Sequence, residues 1–187
     1  NSVIFMTQIR AMIRAAGSLS NLSIILPMVG SVYELEAFSE LLDSAIEQLV
    51  EEGFPVCRPR IGIMAEVPAS IAILPFLAGK IDFVSIGSND LTQYLLAVDR
   101  NNSRVANLFD HIHPAVLQAV EEILVRSRAI GVPVSVCGEM AADPCAALLL
   151  LGKLAHPLGK SRHILEQVVF GNRRFRPGRH MDDAHAG

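Results

Sequence analysis

The sequence predicts an α/β protein built on a parallel sheet. Short, purely apolar runs alternate four times with longer segments of helical period. Apolar runs of that kind suit parallel strands, and right-handed helical crossovers link such strands. Each of the last three runs also ends in polar or reactive residues, as the carboxyl ends of parallel strands do where they face a ligand. Such a sheet is either open and doubly wound or part of a barrel.

The elements follow in order. Phe5, Ile9, Met12, Ile13 and Ala16 fall at helical spacing, and Gly17 ends that helix. LSIILPM reads as a strand buried on both faces. Ser31 with Glu34 three residues on is a capping box. It opens a long amphipathic helix through Leu35, Phe38, Leu41, Leu42, Ala45, Ile46 and Leu49, closed by Gly53. RIGIMAEV is the second strand. Pro68 sits at the start of the helix SIAILPFLAG, which Pro75 limits or kinks. DFVSIG is the third strand, SND a turn after it, and LTQYLLAV a short helix. Pro114 opens a helix running to Gly131. VPVSVCGE is the fourth strand, and PCAALLLLG begins the fourth helix.

From Lys153 onward the pattern stops. HILEQVVF reads as a helix or a strand, and GNRRFRPGRHMDDAHAG as disordered. Residues 153–187 hold seven Lys/Arg against three acids, leaving +4 on this tail and −7 on the rest of a chain of net charge −3. We therefore divide the 187 residues into a body, 1–152, and a divergent, poorly ordered basic tail, 153–187. The chain begins without Met, inside a helical pattern, and is expected to be a segment of something longer.

Composition excludes several classes. Hydrophobic residues at 51% and charged residues at 19% rule out a disordered chain. No apolar run reaches the ~18 residues of a membrane span. Aromatic residues at 5%, without Trp, argue against stacking platforms for single-stranded nucleic acid, and the net charge gives no reason to expect a polyanion. Cys57, Cys137 and Cys145 show no metal or redox spacing. A reducing, cytoplasmic compartment is the simpler expectation.

The chemistry is expected at the strand ends. The second strand ends at Glu66, the third at Gly87-Ser88-Asn89-Asp90 and the fourth at Cys137. Glu66 and Asp90 lie one strand step apart, so both carboxylates could reach one cation. Two hard oxygen ligands suit Mg²⁺ or Mn²⁺ bound with a substrate phosphate. The plainer alternative makes Glu66 a carboxylate near a helix N-terminus and Asp90 a helix cap. Ser88, Asn89 and the N–H groups that follow could hold an anion, with Gly87 letting the backbone approach it, or they form an ordinary turn. Arg100 could clamp a phosphate, or pair with Asp99 on the surface. Cys137 could exchange a proton at the ligand mouth, or be a buried structural thiol. Cys145 is expected in the core and Cys57 to be inert. For His111 and His113 we expect helix capping and not zinc.

Taken together, LPMV, GIMAEVPAS, DFVSIGSNDLTQYLLAVDRNN, HPAVL and VCGEMAADP occur in an order and spacing that resemble the phosphoenolpyruvate (PEP)-binding domain of enzyme I of the bacterial phosphotransferase system. Pyruvate phosphate dikinase and PEP synthase share the site in more distant form. The match runs from about Ile4 to Gly152, and IFMTQIRAMIRAA and VDRNNSRVANLFD look most like the nitrogen-related branch. The resemblance implies a (β/α)8 barrel, of which this chain carries about four βα units. It implies Mg²⁺-dependent transfer of the PEP phosphoryl group to a protein histidine, with a phosphocarrier protein of the HPr type as partner of the parent enzyme and a homodimer as its assembly. Residue by residue, Glu66 and Asp90 look like metal ligands, Asn89 and Asp90 like substrate contacts, Arg100 like the arginine on the transferring group, and Cys137 like the thiol that protonates the enolate of pyruvate. The acceptor histidine and the early barrel strands have no counterpart here. Met6 stands where many relatives have arginine, and no final barrel strand is recognisable after Gly152. A catalytically silent regulatory or dimerisation module of the same fold, or a relative of pyruvate phosphate dikinase or PEP synthase, is the alternative.

Overall fold

The computed structural model describes residues 2–155, 169–170 and 173–174. The helices are α1 (Ser2–Ala16), α2 (Val32–Glu51), α3 (Pro68–Ile73), α4 (Ser88–Leu96), α5 (Pro114–Ala129), α6 (Glu139–Ala142) and α7 (Pro144–Ala155). The strands are β1 (Ser23–Leu26), β2 (Arg60–Ala65), β3 (Phe83–Gly87), β4 (Val134–Cys137), β5 (Val169–Phe170) and β6 (Arg173–Arg174). They form one sheet in chain order, β1 to β6. The first four are mutually parallel, β5 joins β4 in parallel, and β6 returns antiparallel.

Local chemistry explains most boundaries. Ser31 caps α2 while the Glu34 carboxylate accepts from the Ser31 N–H, a complete capping box. Such a cap stabilises by about 1 kcal/mol. Gly17 and Gly53 follow α1 and α2 at φ +57° and +81°, a conformation costly for residues with a Cβ. After α3 the chain tightens into a 3-10 turn, Leu74–Leu77, because Pro75 cannot continue the hydrogen-bond ladder. The expected fourth helix is α7, which Asp143 opens by accepting from the N–H groups of Cys145 and Ala146, whereas Glu139, expected at the end of the fourth strand, starts the short helix α6.

Strand neighbours that follow chain order, joined by right-handed crossovers, set the helices on one face of the sheet. That face carries the core: Ile63, Ile86, Leu42, Leu49 and Ile123 are fully buried there. Each such side chain contributes roughly 1.5–3 kcal/mol. The opposite face is more open at its edge. In β1 only Ile24 and Leu26 are buried, while Ile25 between them is 36% exposed. The expectation that this first strand is buried on both faces is therefore corrected: it is buried on the helix side alone.

The tail expectations lie mostly outside the described residues. Within HILEQVVF, Val169–Phe170 is strand, and Arg173–Arg174, expected to be disordered, also pairs in the sheet. No helix among the described residues is long and apolar enough to cross a membrane.

Candidate functional site

The polar groups converge at the carboxyl ends of β2, β3 and β4. Ala65 pairs with Ile86, and Gly87 pairs with Cys137. Glu66, Gly87 and Cys137 therefore form one row across three strand tips. Adjacent strands lie ~4.8 Å apart, so the outer two backbones are about 10 Å apart. Side chains in one row point to the same face, and this row points to the face without helices.

Gly87 makes the row possible. A Cβ there would lie 2.7 Å from Glu66 Oε2 and 2.8 Å from Glu66 Cβ. The Glu66 side chain occupies the space that any larger residue at 87 would need. Glu66 is 4% exposed, and its Oε1 accepts from the Met28 N–H at 2.7 Å. Met28 holds that N–H in place from φ +56°, a left-handed conformation uncommon outside glycine. Burial pushes the Glu66 carboxyl above its ordinary value. The charge of Asp90 and a hydrogen bond shared with it push the same way, and the Met28 N–H opposes them.

The helix after β3 starts at Ser88, so the expected SND turn is instead the first turn of α4. Asp90 sits in that turn and is not the cap, which is Gly87. Asn89 Oδ1 accepts from the Glu139 N–H at 2.9 Å, which leaves its amide NH₂ for another acceptor. Ser88 Oγ donates to the Cys137 carbonyl at 2.6 Å. Position 138, at φ +89°, takes glycine because a Cβ there would lie 2.4 Å from Ser88 Oγ. Ser88 and Asn89 thus fasten the start of α4 to the tip of β4.

Arg100 arrives from the loop after α4. Its Nη2 lies 4.0 Å from Asp90 Oδ1, with both side chains more than a third exposed. Exposed pairs at this distance bind weakly, so the guanidinium is free to turn to an anion. Arg100 thus faces Asp90, and the expected alternative of a surface pair with Asp99 does not form among the ion pairs seen. Cys137 is half-buried, and its Sγ donates to the Ile86 carbonyl at 3.2 Å.

Other residues land elsewhere. Cys145, expected in the core, is exposed, because the face of α7 that packs inward carries Ala146 and Leu150. Cys57 lies in a loop, partly buried. His113 caps α5 by accepting from the Ala115 N–H. His111 Nε2 lies 3.2 Å from Asp143 Oδ2. The N–H groups of Ala146 and Cys145, with His111, hold Asp143 below the usual carboxylate range. Met28 and Ser85 are contacts that sequence reasoning missed, and Ser88, read there as an anion contact, binds the Cys137 carbonyl instead. Their roles depend on strand register, which no local motif encodes.

Among the described residues no group of three or more His, Cys, Asp and Glu gathers. The site instead offers two carboxylates, one of them buried and disfavoured as an anion beside the other. A hard divalent cation relieves that repulsion and keeps positions open for substrate oxygens. The donor set fits Mg²⁺ or Mn²⁺ bound by Glu66 and Asp90.

Comparison with known proteins adds the following. Residues 1–156 match the family model described as PEP-utilising enzyme, PEP-binding domain. A Salmonella typhimurium protein named phosphoenolpyruvate-dependent phosphotransferase system is 48% identical over 152 residues, covering 80% of this chain and 20% of that protein. A Cupriavidus necator phosphoenolpyruvate-protein phosphotransferase is 45% identical over 150 residues, covering 79% and 25%. The chain thus spans about a fifth to a quarter of the length of these relatives. Among solved structures, a citrate lyase from Burkholderia xenovorans aligns at TM-score 0.53 and 17% identity, over 80% of this chain and 53% of that one. That likeness concerns the fold alone.

Proposed function

The chain belongs to the PEP-utilising enzymes, as their PEP-binding domain, and from that premise we propose that it is the PEP-binding segment of a phosphoenolpyruvate–protein phosphotransferase. The observation that carries this reading is the Glu66–Asp90 carboxylate pair at adjacent strand tips, flanked by Asn89 and Arg100. In this reading the sheet is part of the wall of a (β/α)8 barrel. Its face without helices is the barrel interior, covered by strands that other parts of the parent enzyme supply. A cytoplasmic location, a homodimeric parent enzyme and a phosphocarrier protein of the HPr type belong to the same reading, as does its nitrogen-related branch.

Each residue has a task. Glu66 and Asp90 would hold Mg²⁺, which would supply neutralisation of substrate negative charge. The Asn89 amide and the first N–H groups of α4 bind phosphate oxygens. Arg100 leaves Asp90 and pairs with the phosphoryl group, offsetting its charge as it moves to a histidine nitrogen. The P–O bond of PEP breaks, the N–P bond forms, and the enolate is left on this domain. Cys137 delivers the proton that its carbon needs to become pyruvate.

Binding tests the reading directly. Mg²⁺ with PEP at ~100 times Kd adds about 2.7 kcal/mol to the native state. In a chain of this size that raises Tm by roughly 5–10 °C. PEP with Mg²⁺ that leaves Tm unchanged sinks the proposal and favours a catalytically silent module of the same fold.

A further inference from the structure

We propose that Ser85 is a positioning residue for the thiol of Cys137, aiming the sulfur and taking up the charge left when its proton departs. The inference rests on the reading of Cys137 as proton donor. The observation behind it is a hydroxyl on an otherwise apolar stretch of strand. Ser85 is buried in β3, between Val84 and Ile86, and its Oγ donates to Cys137 Sγ at 3.6 Å. Sulfur's larger radius makes that a contact distance.

The row behind the site holds two hydroxyls with different uses. Ser135 pairs with Ser85 across the strands, yet its Oγ points to the Val84 carbonyl at 3.5 Å. Ser85 is, among the described residues, the side-chain donor that reaches the sulfur. Its role follows from what happens on the other side of the thiol. The S–H is directed at the Ile86 carbonyl at 3.2 Å. That carbonyl can accept but not donate. Once the sulfur has given its proton to the enolate carbon, the S–H bond is broken, a C–H bond is formed, and the electron pair stays on sulfur. The Ile86 oxygen then faces an anion it can only repel. The Ser85 O–H is the group that becomes a charge-assisted donor, and such bonds strengthen and shorten as charge develops. Solvent later returns a proton to sulfur and resets the pair.

The test needs no PEP. Alkylation of the chain by iodoacetamide at mildly alkaline pH reads the same property, sulfur carrying negative charge, and peptide mass spectrometry resolves each cysteine. Cys57 and Cys145 are free thiols that serve as references in the same sample. Ser85→Ala is expected to slow alkylation of Cys137 about threefold or more relative to Cys145. Ser85→Thr and Ser85→Val form a second pair of equal shape that differs only in the hydroxyl. Thr is expected to stay within about twofold of wild type and Val to follow Ala. Alkylation of Cys137 in Ser85→Ala at the wild-type rate or faster, with Cys57 and Cys145 unchanged, overturns the proposal. Should Ala unfold, exposing all three thiols alike, equal rates in Thr and Val overturn it. Because PEP is absent, such a result strikes the hydroxyl's role and leaves PEP binding standing. A missing Tm shift with PEP does the reverse.

Discussion

The two ends of the same sheet hold very different equipment. At the amino ends of the strands lies a hollow of about 380 Å³ lined by Ser23, Arg60, Phe83, Val84, Pro133, Val134 and Ser135. The Phe83 ring folds over Gly62 there, and the Arg60 guanidinium stacks at 5.7 Å from the ring centroid. The hollow contains one cation and neither a carboxylate pair nor a thiol. At the carboxyl ends, within three strand tips, sit two carboxylates, an amide, a guanidinium and a thiol. The hollow at the amino ends thus lacks the chemistry that gathers at the carboxyl ends. Convergence of reactive groups is what marks the candidate site.

The sharpest way to break that comparison is to exchange damage between the ends. Asp90→Ala removes a carboxylate proposed as a cation ligand. It should abolish the Tm rise caused by Mg²⁺ with PEP, and lower turnover of the assembled enzyme by roughly a thousandfold, the order of several kcal/mol of lost charge stabilisation. Phe83→Ala at the other end should leave the ligand response within about twofold, although it removes a packed ring and lowers stability. A variant set with these outcomes reversed would move the site to the hollow.

Next in size is Cys137→Ser. A hydroxyl is a far weaker acid than a thiol, so pyruvate formation should slow about a hundredfold in the assembled enzyme. The Tm response to Mg²⁺ with PEP should survive. Quench-flow measurement of pyruvate separates the two effects, and wild-type speed in Cys137→Ser removes the thiol from the mechanism.

Gly87→Ala tests the row itself. The added methyl collides with the Glu66 carboxylate at 2.7 Å and has to displace it. The apparent affinity for Mg²⁺ should fall about tenfold, equivalent to ~1.4 kcal/mol, by titration calorimetry with PEP present. An unchanged affinity would mean that Glu66 is not a ligand.

The smallest effect is one of pH. The Glu66 carboxyl is raised above its ordinary 4.5, chiefly by burial and then by Asp90. A raised value in the folded state means that folding favours the protonated acid. Its stabilising contribution is full below the unfolded value and is lost as pH rises through the folded one. Without a cation, then, the chain gains stability as pH is lowered from neutrality towards that window. Stabilisation by Mg²⁺ shrinks over the same range, because protons compete for the carboxylate. Melting curves from about pH 7 to pH 5 should show both trends, and Glu66→Gln should flatten them. Trends that persist in Glu66→Gln would assign them to another group.

Local patterns made the order of the main elements legible and marked the candidate site residues. Ser31 and Glu34 announced a helix start that the structure reproduces, and the polar ends of the apolar runs pointed to Glu66, Asp90 and Cys137 before any register was known. Three things were hidden. The open side of β1 was invisible, because Ile24 and Ile25 look alike until the helices that cover only one of them are placed. Ser88-Asn89-Asp90 read as a turn, since their entry into α4 depends on contacts to Cys137 and Glu139 some fifty residues away. Ser85 was one letter in DFVSIG, and its partner sulfur lies on another strand. Contacts across strands follow from register, and register is a property of the whole sheet.

The strand order has a consequence for how such a site comes into being. β2, β3 and β4 each dock beside the strand made immediately before them. Among these strands none must wait for a distant partner, so loop-closure costs stay low and assembly can proceed along the chain as it leaves the ribosome. Glu66 is set first, Asp90 joins it one unit later, and the thiol of Cys137 completes the trio, so the order of synthesis is also the order in which the pocket acquires its chemistry.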